Sequence, residues 1–285
     1  MLNRWDKLLH DKIHAKMLEQ DPKDLLNNHR LKILDKINND FKIEGDVADI
    51  GCGNAYFGIG LAKKFRNIKK IDCIEASKFA VEKIIPRNIQ FHNVETVVKP
   101  IYGTFDNLGF EKYNIIFAMG ALHHSSNLKK TLKSIAKALK PNGLLVAQEP
   151  AMPDDTTHED YKFKYNIIEK RFGLEIKNGN RLDRFFRECE YKYCLIINGF
   201  NICLWENYNP ESVNFSGTKF IKHCFKIYKI KKKISEILNL IFYKKNFLQD
   251  DKWKKEMNIS TLKVKPKLFI ARKSLCKHIF HDNNF

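Results

Sequence analysis

No run of about 18 uncharged apolar residues occurs anywhere in the 285-residue chain, so a membrane-spanning helix is not expected. The opening stretch, MLNRWDKLLHDK, carries charge throughout and lacks the apolar core of a secretion signal. Seven cysteines (Cys52, Cys73, Cys189, Cys194, Cys203, Cys224 and Cys276) are scattered, odd in number and without a C-x-x-C pair. That pattern argues against a disulfide framework and for a reducing, cytoplasmic setting. His10 and His14 stand four residues apart, but no third ligand accompanies them, so no metal site is expected. Internal repeats are absent. Arginine is scarce as well: of 51 basic residues only nine are arginine. A net charge of +18 invites an anionic partner, yet lysine is a solvated point charge without the planar fork that reads bases and phosphates. A nucleic-acid partner is therefore an alternative, not the leading expectation.

What is present is alternation. Residues 1–40 place Leu, Ile and Met at helical spacing and predict two or three helices, broken near Asp21–Asp24. From Val47, short apolar runs alternate with amphipathic stretches: VADI, GIGLAKKF, KIDCIE, FAVEKII, IQFHN, YNIIFAM, LKKTLKSIAKALK and GLLVAQ. This rhythm predicts βαβ units and a doubly wound α/β fold with a mostly parallel sheet. Past Pro150 it breaks. An insertion over 151–182, a helix over DRFFRECEYKYCLIIN, a strand at NICLWEN, a second and strongly basic insertion over 209–261, and a last strand at KLFIARKS follow. The two late strands are expected to pair antiparallel at the edge of the sheet.

The turn DIGCGNAYFG, at 49–58, follows the first strand and opens a helix. Glycine there lets backbone approach a ligand, and the helix start presents unpaired N–H groups to it. For a dinucleotide the spacing G-x-G-x-x-G is expected, but the third place holds Tyr56, which weakens that reading. An acidic residue followed by G-x-G-x-G is the other spacing, and Asp49-Ile50-Gly51-Cys52-Gly53-Asn54-Ala55 fits it with Ala55 in the last place.

At these residues the chain resembles the class I S-adenosylmethionine-dependent methyltransferases, and the likeness runs in order for about 100 residues, through IDCIEAS, IQFHNVE, YNIIFAMGALHH and LKPNGLLVAQEP. The resemblance implies S-adenosylmethionine as cofactor, held by Asp49, Gly51, Cys52, Gly53, Asn54 and Ala55 in the first loop. It implies Glu75, with Ala76 beside it, for the ribose hydroxyls, Asn93 and Val94 at the adenine, and Ala118 and Met119 at the end of the fourth strand. Asp49 would meet the methionine ammonium directly or through water. Ala55 departs from the usual third glycine, at a cost if that position needs φ > 0.

His123 and His124 follow the fourth strand and are the candidate general bases, with His123 slightly preferred; Glu149, closing the fifth strand, is the candidate that orients base or substrate. A satisfied histidine and a loop-closing carboxylate are the plainer alternatives. His158, Glu159 and Tyr161 lie in the insertion that resembles the family's substrate lid. Arg181, Arg184 and Arg187 could grip an anionic group, with 184 and 187 on one helix face, or simply pair with Asp183, Glu188 and Glu190. The basic insertion carries twelve lysines against five acidic residues, with an apolar stripe from Phe220 to Ile241. Three readings compete for it: a cap over the site, a contact with an anionic membrane through 217–245 at the inner face, or a contact with RNA. The place after the fourth strand reads Ala118-Met119-Gly120-Ala121, without the Pro-Pro-aromatic signature of amino-directed base methylation. The expectation is a bacterial small-molecule methyltransferase acting on an oxygen of a sugar, glycan precursor or related metabolite. An RNA methyltransferase, or a non-catalytic binding module on the same fold, is the alternative.

Overall fold

Strand-forming and helix-forming segments alternate because the central strands have both faces buried while each helix buries one. The structure, a computed structural model, describes residues 21–105, 107–156, 186–208 and 265–274. The chain divides into two units, and apart from Asp155 and Thr156 all described residues belong to the first. Eight strands among them form one sheet: β1 (Gly45–Ile50), β2 (Ile68–Glu75), β3 (Val98–Tyr102), β4 (Tyr113–Met119), β5 (Leu139–Met152), β6 (Phe186–Arg187), β7 (Phe200–Asn207) and β8 (Lys265–Lys273). Their order is β3-β2-β1-β4-β5-β8-β7, with β6 beside β5. Strands β3 to β5 along this path pair parallel, whereas β8 pairs antiparallel with both β5 and β7. This is the doubly wound, mostly parallel sheet with an antiparallel edge that the alternation predicts.

Period-two alternation sends Val47, Ile115, Phe117 and Val146 to one core and Ala48, Ile116, Ala118 and Ala147 to the other. Helices α1 (Ile33–Asp40), α2 (Tyr56–Lys64) and α3 (Ile85–Phe91) cover the first face through Leu34, Ile37, Phe57, Leu61, Ile85 and Ile89. Helices α4 (Leu128–Ala138) and α5 (Glu188–Ile197) cover the second through Leu132, Ile135, Tyr191 and Leu195. Truncating one such side chain, Ile135→Ala for example, costs about 2–5 kcal/mol.

A new element starts where the break near Asp21–Asp24 is expected, and three other details differ from the sequence expectation. The Asp21 carboxylate accepts from Lys23 N–H and starts a 3-10 turn, Pro22–Asn27, followed by a second, His29–Lys32, while residues 1–20 lie outside the described ones. IQFHN is not a strand. Ile85 and Ile89 lie four residues apart and both turn into the core of α3, whose end is closed by Asn93 at φ 53 and by Val94 N–H donating to Ile89 C=O. The third strand is β3 instead. Ala151 and Met152 belong to β5, not to an insertion, because β5 continues pairing with β8 to Ala151 and with β6 to Met152. Arg187 precedes α5 and caps it, so it cannot share a helix face with Arg184.

Candidate active site

The strand order reverses between β1 and β4, and in an open α/β sheet the crevice beyond that switch point is where ligands bind. Gly51, at the end of β1, has φ 64, and a Cβ there would meet Ala121 Cβ at 2.7 Å. Glycine is therefore required twice over, and the loops after β1 and β4 close upon each other. Gly53 has φ 59, but a Cβ there would meet nothing within 4 Å. Its backbone faces open space. The next positive φ belongs to Ala55, at 62°, where the chain turns into α2.

Side chains hold this loop from three sides. Glu75, buried at the end of β2, accepts from Gly53 N–H through Oε2 and from Ser77 N–H through Oε1, both at 2.9 Å. A carboxylate offers about four acceptor positions, so two remain for a ligand diol. Asn88 Nδ2 donates to Asn54 C=O at 3.0 Å and ties the loop to α3. Asp49 is 1% exposed, and its Oδ2 accepts from Gly58 N–H in the first turn of α2 at 3.1 Å. Burial, with Glu75 adding repulsion, pushes the Asp49 carboxyl up to about 7 against the Gly58 N–H bond and the Arg30 charge.

Arg30 is the counter-charge. It arrives from the second 3-10 turn, and its Nη1 donates to Met119 C=O at 2.8 Å and to the Tyr56 hydroxyl at 3.2 Å. Burial opposes its charge, yet Tyr56, Glu149 and Tyr208 hold its pKa above the ordinary value. Neither Arg30 nor Tyr56 was expected to contribute. Arg30 lies 19 residues before Asp49 in an unremarkable helical stretch, and no motif marks it. Tyr56 occupies the place that argued against a dinucleotide site, and its hydroxyl instead accepts from Arg30 Nη1, which also reaches Met119 C=O.

On the other side of β4, Glu149 gathers the turn Leu122–His124. Its Oε1 accepts from Ala121 and Leu122 N–H at 2.7 and 2.8 Å, and its Oε2 lies 2.8 Å from His123 Nδ1. The His123 and His124 rings are 4.1 Å apart, centroid to centroid. Glu149 thus closes the loop and fixes the imidazole with the same carboxylate.

Asn93 and Val94 are not part of this constellation. They follow α3 and precede β3, at the amino end of the sheet, where they line a separate hollow with Ala62, Lys63, Arg66 and Thr96. The carboxyl end of β3 carries Gly103, Thr104 and Phe105 instead: Gly103 N–H donates to Glu75 C=O at 3.0 Å, and Phe105 Cε1 lies 3.8 Å from the position of a Gly51 Cβ. Counting onward from the end of the true third strand finds them; the misplaced strand hid them. Gly51, Cys52, Gly53, Asn54, Ala55, Ala76, Ala118 and Met119 all lie at the carboxyl ends of β1, β2 and β4 or in the loops that follow. Arg187 is engaged with Glu190, Nε to Oε2 at 3.3 Å. His158, Glu159, Tyr161, Arg181 and Arg184 lie outside the described residues, as do His10, His14 and the segment 209–264. Among the described residues no cluster of three or more His, Cys, Asp or Glu could hold a metal, and no helix is long and apolar enough to cross a membrane.

Residues 43–195, just over half of the chain, match the family described as a methyltransferase domain. Among curated proteins the chain is similar to the uncharacterized methyltransferase YcgJ of Bacillus subtilis, 25% identical over 127 residues that cover 42% of this chain and 46% of that one. It is also similar to the tRNA U34 carboxymethyltransferase of Campylobacter jejuni, 27% identical over 38% of this chain and 36% of that one. A third relative is the demethylmenaquinone methyltransferase of Staphylococcus saprophyticus, 24% identical over 50% of this chain and 60% of that one. These matches span less than two thirds of each relative's length. The crystal structure of YcgJ superposes with a TM-score of 0.56 at 19% identity, covering 86% of this chain and 98% of that one, which shows a shared fold.

Proposed function

The chain belongs to the methyltransferase domain family, and from that premise we propose that it binds S-adenosylmethionine in the crevice between β1 and β4 and methylates a small-molecule acceptor at oxygen. The features that fit the cofactor are the open backbone at Gly53, the spare acceptor positions of Glu75 for a ribose diol, and the pair of opposite charges, Asp49 and Arg30, for an amino-acid zwitterion. Gly103–Phe105 form the wall beside Glu75 where an adenine would lie. When bound, S-adenosylmethionine supplies the electrophilic methyl group.

One observation carries the choice of an acceptor that must lose a proton: His123 Nδ1 sits 2.8 Å from Glu149 Oε2. A proton on Nδ1 donated to that carboxylate leaves Nε2 as the basic nitrogen, the state of a general base. Glu149 then stabilises the imidazolium that forms as an acceptor hydroxyl gives up its proton. Its role is positioning, since all its bonds go to the loop and to His123. A sugar, glycan precursor or related metabolite fits this chemistry. The Pro-Pro-aromatic segment that would stack an extruded base has no counterpart in Ala118–Ala121.

Calorimetric titration with S-adenosylmethionine and S-adenosylhomocysteine tests the cofactor half. Micromolar binding by the folded protein, lost in Glu75→Ala, is the expected result. An absence of binding would leave a non-catalytic module on this fold. Incubation with labelled cofactor and a panel of hydroxyl acceptors tests the other half, and transfer to RNA alone would overturn the small-molecule reading.

A further inference from the structure

Helices α4 and α5 cover the same face of the sheet and lie side by side, joined where Asn198 Nδ2 donates to Lys129 C=O at 3.2 Å. Their outward sides therefore form one surface. On α4, Lys129, Lys133 and Lys137 recur every four residues, which stacks them on one stripe about 6 Å apart along the axis. All three are exposed, because Leu128, Leu132, Ile135 and Ala138 take the inward side. The helix α4 itself carries neither Asp nor Glu, and Lys140 beyond it is taken up by Asp46 at 2.7 Å. The carboxylates of α5 are committed elsewhere, Glu188 to Lys267 at 2.6 Å and Glu190 to Arg187 at 3.3 Å. On its own outward side α5 shows Tyr193 and Ile196, 63% and 61% exposed.

We infer that the α4–α5 face is a docking surface for a membrane rich in anionic lipid. Exposed lysines are drawn to a negative headgroup layer without needing fixed geometry, and each contributes to adsorption. Tyrosine suits the boundary between headgroups and acyl chains, having an apolar ring and a polar tip, and isoleucine gains by leaving water there. An RNA strand would also attract the lysines. It would gain nothing from Ile196, however, and neither helix carries an arginine to fork a phosphate. The stripe begins five residues after His124, so a docked membrane would lie beside the rim of the candidate site. The inference holds whatever the acceptor, and its test reads partition instead of turnover.

The full chain is sedimented with vesicles of phosphatidylcholine alone or of equal parts phosphatidylcholine and phosphatidylglycerol, at low and high salt. Binding to the mixed vesicles only, weakened by salt, is expected. The triple change Lys129→Gln, Lys133→Gln, Lys137→Gln should cut it about tenfold or more, while the same three positions changed to Arg should keep it. Tyr193→Ser with Ile196→Ser should cut it several-fold. Thermal melting and S-adenosylmethionine titration should match the parent in each variant, because every altered side chain is exposed. Failure of the parent to bind mixed vesicles would overturn the inference. Equal binding by the glutamine triple variant would do so too, by placing the attraction elsewhere in the chain. Tighter binding to a short single-stranded RNA than to vesicles, lost in that variant, would replace the membrane with a nucleic acid.

Discussion

The Oε2 atom of Glu149 lies 2.8 Å from His123 Nδ1 and 3.3 Å from the backbone N–H of the same residue, so one oxygen fixes both the ring and the chain of His123. The two residues should therefore respond differently to substitution. His123→Ala removes a partly exposed ring from a loop that Glu149 still holds through Ala121 and Leu122, and should change stability by less than about 1 kcal/mol. Glu149→Gln replaces an acceptor of several N–H bonds by a group that is half donor, deep in the core. A loss of about 2–4 kcal/mol in unfolding free energy is expected, since backbone donors are left unsatisfied. Denaturant titration separates the two. Nitrogen NMR of the neutral imidazole should show the Nδ1–H tautomer in the parent and its loss in Glu149→Gln. With an acceptor in hand, His123→Ala should lower kcat about 100-fold or more with little change in cofactor affinity.

Asp49 predicts a pH dependence in two readouts. Its carboxyl, pushed up to about 7 by burial, keeps a proton in the folded state that the unfolded chain releases near the ordinary aspartate value. Its contribution to stability is present below about pH 4 and declines as pH rises through about 7. Asp49→Asn keeps an acceptor for Gly58 N–H and carries no charge, so its melting temperature should equal or exceed the parent's at pH 8, with the gap closing toward pH 4. S-adenosylmethionine brings an ammonium that favours the ionised form. Parent affinity should therefore climb from pH 6 to pH 8, with release of close to one proton on binding at pH 6, read by calorimetry in buffers of different ionisation enthalpy.

Ala55 shows why a departure from the glycine pattern is tolerated. At φ 62 the methyl costs about 1–2 kcal/mol relative to a right-handed conformation. It is also fully buried in the core under α2, worth about 0.8 kcal/mol, and alanine loses less chain entropy on folding than glycine by about 0.5–1 kcal/mol. These terms nearly cancel. Ala55→Gly should leave unfolding free energy within about 1 kcal/mol of the parent, whereas Ala55→Val, branched at a left-handed position, should lose more than about 2 kcal/mol in the same denaturant titration.

Much of this fold is legible in the sequence, for identifiable reasons. A strand buried on both faces reads as an apolar run, so β1, β2, β4 and β5 could be found from VADI, KIDCIE, YNIIFAM and GLLVAQ, and the turn at Gly51 and Gly53 marked the crevice. IQFHN failed because its isoleucine, together with Ile85, fits a helix four residues apart as well as it fits a short strand. That single misreading carried Asn93 and Val94 to the wrong end of the sheet and concealed Phe105. Arg30 was illegible for another reason. Its position depends on how the segment before β1 folds back across the sheet, and a lone arginine in a helical stretch gives no local sign of what it will reach.

Arg30 ties the start of α2 to the end of β4. Its Nη1 joins Met119 C=O and the Tyr56 hydroxyl, and its charge lowers the Asp49 pKa against burial. Removing it as Arg30→Ala leaves the Met119 carbonyl and the partly buried Tyr56 hydroxyl short of a donor, at a cost of about 1–3 kcal/mol in stability. It also leaves Asp49 to burial and to Glu75 alone, so the pH at which cofactor affinity reaches half its maximum should move upward from the parent's. Arg30→Lys keeps the charge but not the planar fork, and should restore the pH midpoint while recovering stability only in part. Calorimetry across pH 6 to 9 on the three proteins distinguishes this electrostatic coupling from packing. If both variants lose affinity equally at every pH with no shift in midpoint, Arg30 acts by filling space and its charge is incidental.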